Sequence, residues 1–256
     1  MSDPSLSRQT TNHEEFARLA ITEFPATDRE RYLRWDRFRL AVFADELGWR
    51  LASHPGGARN YSDPFDEHAQ LFLAEDRAAV VGIVRCLHVT KGFPHRELFE
   101  RHLQASGLDE RVSTVGTVNA LAVIPSKRRR VFASESDGQL GTASALLIRA
   151  SVQSLVASGV AVVLATVLSP VSARAFIRMG FRLLDVPFVS PDDDRFVLAN
   201  VGMVVGAGPH AEDQGRASSI EALPALSTSE YFERCQAVVF SQGNLEELFL
   251  ARRMPR

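Results

Sequence analysis

The sequence predicts a mixed α/β fold in which helices cover a β-sheet, and three observations carry that reading. Apolar residues switch between a helical and an extended period along the middle of the chain. Val160–Leu168, nine residues, is apolar at nearly every position, as a strand buried on both faces must be. The helical stretches beside it are bracketed by capping residues and glycines.

Taken in order, Asp28 to Trp49 reads as a helix capped by Thr27 or Asp28, with Leu33, Leu40, Phe43, Ala44 and Leu47 near a 3.6-residue period. Leu51 to Pro64 then collapses into His, Pro, Gly, Asn, Ser and Asp, the composition of a long loop. Loops beyond about 12 residues inside compact domains are more often functional than decorative. Gln70 to Glu75 and Ala78 to Val89 flank Asp76-Arg77 and predict a β-hairpin. Phe99 to Gly107 reads as a short helix, and Val118 to Ile124 as a strand ended by Pro125. Thr142 to Ser158 carries Arg149 as its only charge, so this helix is covered on most sides. Ser169-Pro170 supplies a cap and a first-turn proline for the next helix, Gly180 ends it, and Phe181 to Leu184 begins another strand. The chain divides into an N-terminal arm (1–27), a main domain (28–204), and a linker with a helical C-terminal extension (205–256). For that extension a lid, an arm on the main domain and a homodimer contact all remain open.

Composition excludes several classes. With 45% hydrophobic and 23% charged residues, a packed core is expected, and disordered or collagen-like chains are ruled out. A net charge of −2 argues against nucleic acid as the main partner. Two cysteines form no disulfide framework and no metal-ligand spacing, which suits a reducing cytoplasm and predicts no metal. Met1 to Glu15 lacks the apolar stretch of an export signal, and nine apolar residues are about half of the ~20 needed for a membrane span.

Three features could carry chemistry. Arg85 shares a strand face with Ile83 and Leu87; if that face is inward, the guanidinium needs a carboxylate, and Asp63 and Asp66 precede the hairpin. In water at a sheet edge it would need none. The second feature is Gly138-Gln-Leu-Gly141-Thr142-Ala143, a glycine loop opening into the covered helix, where free amides favour a phosphate. Basic Lys127-Arg128-Arg129-Arg130 lies just upstream and could meet a pyrophosphate or an acidic carrier protein, although such a run is commonly a solvated loop. The third is Arg39 to Phe43 through Leu47-Gly48-Trp49, followed by Asp63-Pro-Phe-Asp66; Phe43 and Trp49 at such places are ordinarily packing residues. No Ser-His-Asp order, His-Glu-x-x-His or GxGxxG is present.

Together these residues resemble a family. The Gly-Gln-Leu-Gly-Thr-Ala loop with its helix, the buried strand and Ser-Pro-Val-Ser-Ala-Arg-Ala-Phe-Ile-Arg-Met-Gly-Phe are similar to the acyl-donor half of GNAT acyltransferases. Arg39, Phe43, Leu47-Gly48-Trp49, Asp63-x-x-Asp66 and Arg85 follow the pattern of the acyl-homoserine-lactone synthases, over about residues 30 to 185. Where those synthases carry a Glu and an Arg, this chain has Thr117 and Ala120. The general-acid Tyr common in GNAT acetyltransferases falls nearest to Phe176, and the residue before their phosphate loop nearest to Gly138. The remaining likeness is to the N-acyl amino acid synthases.

The resemblance implies a GNAT-like sheet with a splayed centre and an N-acyltransferase, with the autoinducer synthase and a catalytically silent acyl-binding module as alternatives. It implies no tightly bound cofactor. A phosphopantetheine thioester, on acyl carrier protein or CoA, would lie along Leu121 to Ile124 (Ala122 and Ile124 among its contacts), with Arg128, Arg129, Arg130, Gly138, Gly141, Thr142 and Ala143 near its phosphates. Backbone amides around Leu121 to Val123 would hold the oxyanion, and Asp63 or Asp66 would act as base. Arg39, Arg85, Thr117 and Ala120 would bind substrate and Phe43 and Trp49 would line the acceptor or acyl pocket, the acceptor amine being an amino acid by this reading.

Overall fold

The computed structural model describes residues 16–48, 63–94, 96–100, 115–168, 171–184, 188–190 and 195–205. Its strands are β1 (Arg18–Pro25), β2 (Gln70–Asp76), β3 (Ala79–His88), β4 (Val115–Val123), β5 (Val131–Ser134), β6 (Leu140–Thr142), β7 (Val162–Leu168), β8 (Arg182–Leu183), β9 (Phe188–Val189) and β10 (Val197–Val204). They form one sheet in the order β6-β5-β1-β2-β3-β4-β7-β10-β8, with β9 on β10. The helices are α1 (Arg29–Leu40), α2 (Ala143–Ala157) and α3 (Val171–Arg178). Tyr32, Trp35 and Phe38 of α1 join Leu71, Leu73, Ile83 and Leu87 in one core cluster, whereas Leu147 and Leu155 of α2 and Phe176 of α3 join Phe72, Val84 and Cys86 in the other. Helices therefore cover both faces, as the mixed α/β reading requires. Among the described residues, no helix is long and apolar enough to cross a membrane.

The β2–β3 hairpin forms as expected but turns one residue later, at Arg77-Ala78 instead of Asp76-Arg77, with both residues in the left-handed region at φ 52° and 67°. Close helix-to-sheet packing is permitted by Gly82, where a Cβ would come 2.8 Å from Leu147 Cδ1. Residues 18–25, placed by sequence in an N-terminal arm, form an inner strand between β5 and β2. Their apolar residues are too few and too mixed with charge for the periodicity to stand out.

The first helix departs from expectation in two ways. It passes at Ala41 into a π-helical turn (Ala41–Glu46), with Leu47 N–H donating to Val42 O at 3.0 Å. Its buried face is Tyr32, Trp35, Phe38, Arg39 and Val42, while Leu33 is 39% exposed. The aromatic rings take the sheet contact, and the wider turn changes the phase of everything after Leu40. Of the short helix expected over Phe99 to Gly107, and of the Ser169-Pro170 cap, the greater part lies outside the described residues.

One feature of the sheet positions the site. β4 pairs with β7 in parallel only at Val115↔Val162, Gly116↔Val163 and Thr117↔Leu164. Beyond Thr117 the two strands part, while β4 continues along β3 to Gly82↔Val123 and β7 along β10 to Leu198↔Leu168. The β3–β4 register slips between Ile83 and Arg85, and Ala120 sits at φ 52°. An extra residue with its first member left-handed is a β-bulge, which bends a strand and raises its twist. Ile124 N–H donates to Val81 O at 3.0 Å, so by antiparallel alternation the Ala122 and Ile124 amides face β3 and those of Leu121 and Val123 face away.

Holding alanine in the left-handed region costs on the order of 1 kcal/mol, and a β-branched residue fits there worse. Ala120→Val should lower stability by roughly 1–3 kcal/mol in urea unfolding, whereas Ala120→Gly should match or exceed the parent.

Candidate active site

The wedge between β4 and β7 opens into a cleft of about 390 Å³. Thr117 to Leu121 form one wall and Ala165 to Leu168 the other. Phe43, Phe65, Phe93, Phe99 and Phe176 supply an aromatic lining. Phe176 is buried and packs edge-on against Phe181, at 5.0 Å between ring centroids. The polar side of the cleft is Arg39, Asp63 and Arg85, with Asn119 between them and Thr166 opposite. Thr166 donates its hydroxyl to buried Asn200 at 2.9 Å, which fixes the second wall.

Arg85 faces inward, 3% exposed, and both expected carboxylates are its partners. Its Nη1 lies 2.7 Å from Asp63 Oδ2 and 2.5 Å from Asp66 Oδ1, and its Nε donates to Asn119 Oδ1 at 2.5 Å. Arg39 joins them: Nη1 reaches Asp66 Oδ2 at 3.2 Å and Nη2 reaches Asp36 Oδ1 at 2.5 Å. The Arg39 guanidinium also lies 4.8 Å from the Trp35 ring centroid, an arrangement that suits its weakly hydrated plane. Tyr32 donates its hydroxyl to Asp66 Oδ2 at 2.9 Å. Two cations and three carboxylates are thus drawn together from α1, the segment before β2, and β3.

The two aspartates are not equivalent. Asp66 is 2% exposed, has both oxygens engaged, and does not border the cleft. Asp63 does border it, holding Arg85 with Oδ2 and accepting Phe65 N–H at 3.0 Å on Oδ1. Burial pushes the Tyr32 hydroxyl far above its usual range, and the adjacent Asp66 charge adds to this, so Tyr32 remains a donor. Burial also raises the Asp36 carboxyl, against the pull of Arg39.

Sequence reasoning missed Tyr32, Asp36 and Asn119. Tyr32, Asp36 and Arg39 stand at i, i+4 and i+7, which puts three polar groups on one helix face. Asn119 was legible as the lone amide within an otherwise apolar strand. Thr117 and Ala120 do line the cleft with Leu121, while Val123 lies beyond its lining. Trp49 is outside the described residues.

The glycine segment differs from the free loop expected. Leu140–Thr142 is a short strand, with Gly141 opposite Phe132 and Thr142 opposite Val131. Gly138 occupies the preceding turn at φ 68°, and Thr142 caps α2 through its own side chain, accepting Ala145 N–H at 3.3 Å. Gly138, Gly141, Thr142 and Ala143 do not border the cleft. Backbone pairing with Val131, Phe132 and Ala133 makes this segment a strand at the sheet's end. The basic run is also partly committed: Lys127 holds Asp76 at 2.9 Å and Arg128 holds Glu46 at 2.5 Å, while Arg129 is exposed. Arg130 lies 4.0 Å from Asp76 and over the Phe132 ring.

A bulged central strand parting from its parallel neighbour over a cleft is a GNAT-like fold, and residues 38–134 match the family described as acetyltransferase (GNAT) domain. Within that fold the chain is similar to acyl-homoserine-lactone synthases in sequence, and its fold is shared with an N-acyl amino acid synthase. It is 29% identical over 160 residues to the acyl-homoserine-lactone synthase of Aeromonas hydrophila, covering 62% of this chain and 72% of that one. To the synthase of Pseudomonas chlororaphis it is 45% identical over 69 residues, 26% of this chain and only about a third (34%) of that protein's length. Among solved structures, the CoA-dependent acyl-homoserine lactone synthase BjaI, with SAM and isopentyl-CoA, superimposes with a TM-score of 0.50 at 17% identity, covering 86% of this chain and 89% of BjaI. FeeM, an N-acyl amino acid synthase from uncultured soil microbes, gives 0.52 at 12%, covering 73% and 91%.

Removing one partner of a buried ion pair leaves an uncompensated charge. Arg85→Met should therefore cost about 3–5 kcal/mol in urea unfolding, with Arg85→Lys between it and the parent. The raised Tyr32 pKa means the folded state holds that proton more tightly than the unfolded state does. Its contribution is fully present below the ordinary value of 10.0 and is lost as pH rises above it. In an alkaline absorbance titration one of the three tyrosines should ionise only on unfolding, and Tyr32→Phe should abolish that lag.

Proposed function

We propose that this acyltransferase moves a fatty acyl group from a phosphopantetheine thioester, carried on acyl carrier protein or CoA, to the amine of a small acceptor, an amino acid, in the cytoplasm. The observation that carries the reading is the parting of β4 from β7 after Thr117, which leaves the Leu121 and Val123 amides turned away from β3 beside a cleft with a carboxylate on its wall. A thioester arm can add to that free strand edge as an extended peptide does. The aromatic side of the cleft suits the acyl chain, and the Arg39–Asp63–Arg85 side suits the amine.

The acceptor enters as an ammonium and gives one proton to Asp63, directly or through water. Its nitrogen attacks the thioester carbonyl, and the Leu121 N–H, which borders the cleft, stabilises the oxyanion, at about 3 kcal/mol, with the Val123 N–H left to pair with the donor arm. Collapse breaks the C–S bond; the second nitrogen proton passes to the departing thiolate, leaving an amide and a free thiol. Asp66 and Arg85 position Asp63 in this scheme, which assigns the base to the carboxylate that borders the cleft. Three carboxylates against two guanidiniums favour a cationic acceptor there.

The test offers acyl carrier protein and CoA thioesters with mixed amino acids, following thiol release and new amide masses. Thiol release dependent on the amino acid supports the reading. Product formed only with S-adenosylmethionine replaces it with autoinducer synthesis, and thioester binding without turnover replaces it with a silent acyl-binding module. Asp63→Asn should lower kcat at least about 100-fold while thioester affinity stays within a few fold.

A further inference from the structure

We infer that the π-helical turn and its two tethers form a latch across the open end of the wedge, held shut by Arg128 on the strand edge that the donor would use; this rests on the thioester reading above. The open end is defined by three chain ends: the C-terminus of β4, the C-terminus of β7, and the start of β10, which pairs with β7 at Leu198↔Leu168. The π-helical turn and Gly48 just after it bond to both arms. On the β4 arm, Glu46 Oε1 accepts Arg128 Nη2 at 2.5 Å. On the β10 arm, Gly48 O accepts Arg195 Nη2 at 2.5 Å, just ahead of Val197. Phe43 of the same turn lines the cleft beneath.

The Arg128 contact is specific to the donor edge. Arg128 Nε donates to Val123 O at 2.8 Å, the carbonyl that alternation turns away from β3. A pantetheine amide pairing with β4 at this level needs that same acceptor, so Arg128 and the donor exclude one another. Glu46 holds the guanidinium in place, and the pair is partly exposed, 38% and 24% at the side chains. Ion pairs of that exposure contribute little net stability, so the latch opens readily. A π-turn, with its wider and less regular bonding, is also a place where a helix can rearrange locally. The donor therefore binds only the open fraction of molecules, and its apparent affinity is reduced by that fraction.

The probe is S-hexylpantetheine, a thioether that cannot react and carries no phosphate, titrated calorimetrically into the full chain. Arg128→Met should bind it about 3–10-fold more tightly than the parent, with Glu46→Gln and Arg195→Met shifted in the same direction by less. All three sites are outside the buried core, and melting temperatures close to the parent's verify that each variant is folded. Parent binding with equal or weaker affinity in every variant overturns the latch and leaves the thioester reading intact. No binding by the parent or any variant overturns both.

Discussion

The arrangement depends on burying two guanidiniums and three carboxylates together. Arg39 comes from α1, Asp63 and Asp66 from the segment before β2, Arg85 from β3, and Asn119 from β4. None could be buried alone, because an isolated charge in the interior costs several kcal/mol even after relaxation. Mutual neutralisation makes the assembly tolerable, and the geometry it demands fixes four separate pieces of chain against one another. Asp66 and Tyr32 lie behind and Asp63 in front, where it alone of the two aspartates borders the cleft.

The wedge has a different origin. Backbone geometry opens it: a slip in register and a left-handed alanine carry β4 away from β7 while keeping it on β3. Polar recognition and strand opening are thus independent inputs that meet at Thr117 to Leu121. That separation explains how charged and aromatic side chains can both line a single cleft of about 390 Å³ whose walls are set by backbone geometry. Cys86, on the opposite face of β3 from Arg85, packs in the other core cluster with its Sγ donating to Gln70 Oε1 at 3.5 Å, and burial holds its thiol well above its usual range.

Much of this was legible from residue order. The hairpin, the doubly buried β7, the α2 cap at Thr142 and the Arg85–Asp63–Asp66 association follow from alternation, capping chemistry and the cost of an unpaired guanidinium. Missed features are those set by contacts between distant segments. β1 is recognised only by the strands on either side of it. The π-turn is invisible to a reading at fixed period, so the buried face of α1 was assigned to Leu33 and its neighbours instead of the aromatic row. That Leu140–Thr142 is a strand on β5, and not a free loop, is likewise a distant pairing that local composition does not register.

The surplus residue in β4 has one further implication. The wedge is encoded by a count of residues on one strand against its partner, not by the identity of any side chain, and substitution at most nearby positions leaves that count untouched. Excising a single amino acid around position 120 would bring the two ladders back into step. The fold would then be mended at the expense of its opening, so this stretch tolerates altered spelling far better than altered length.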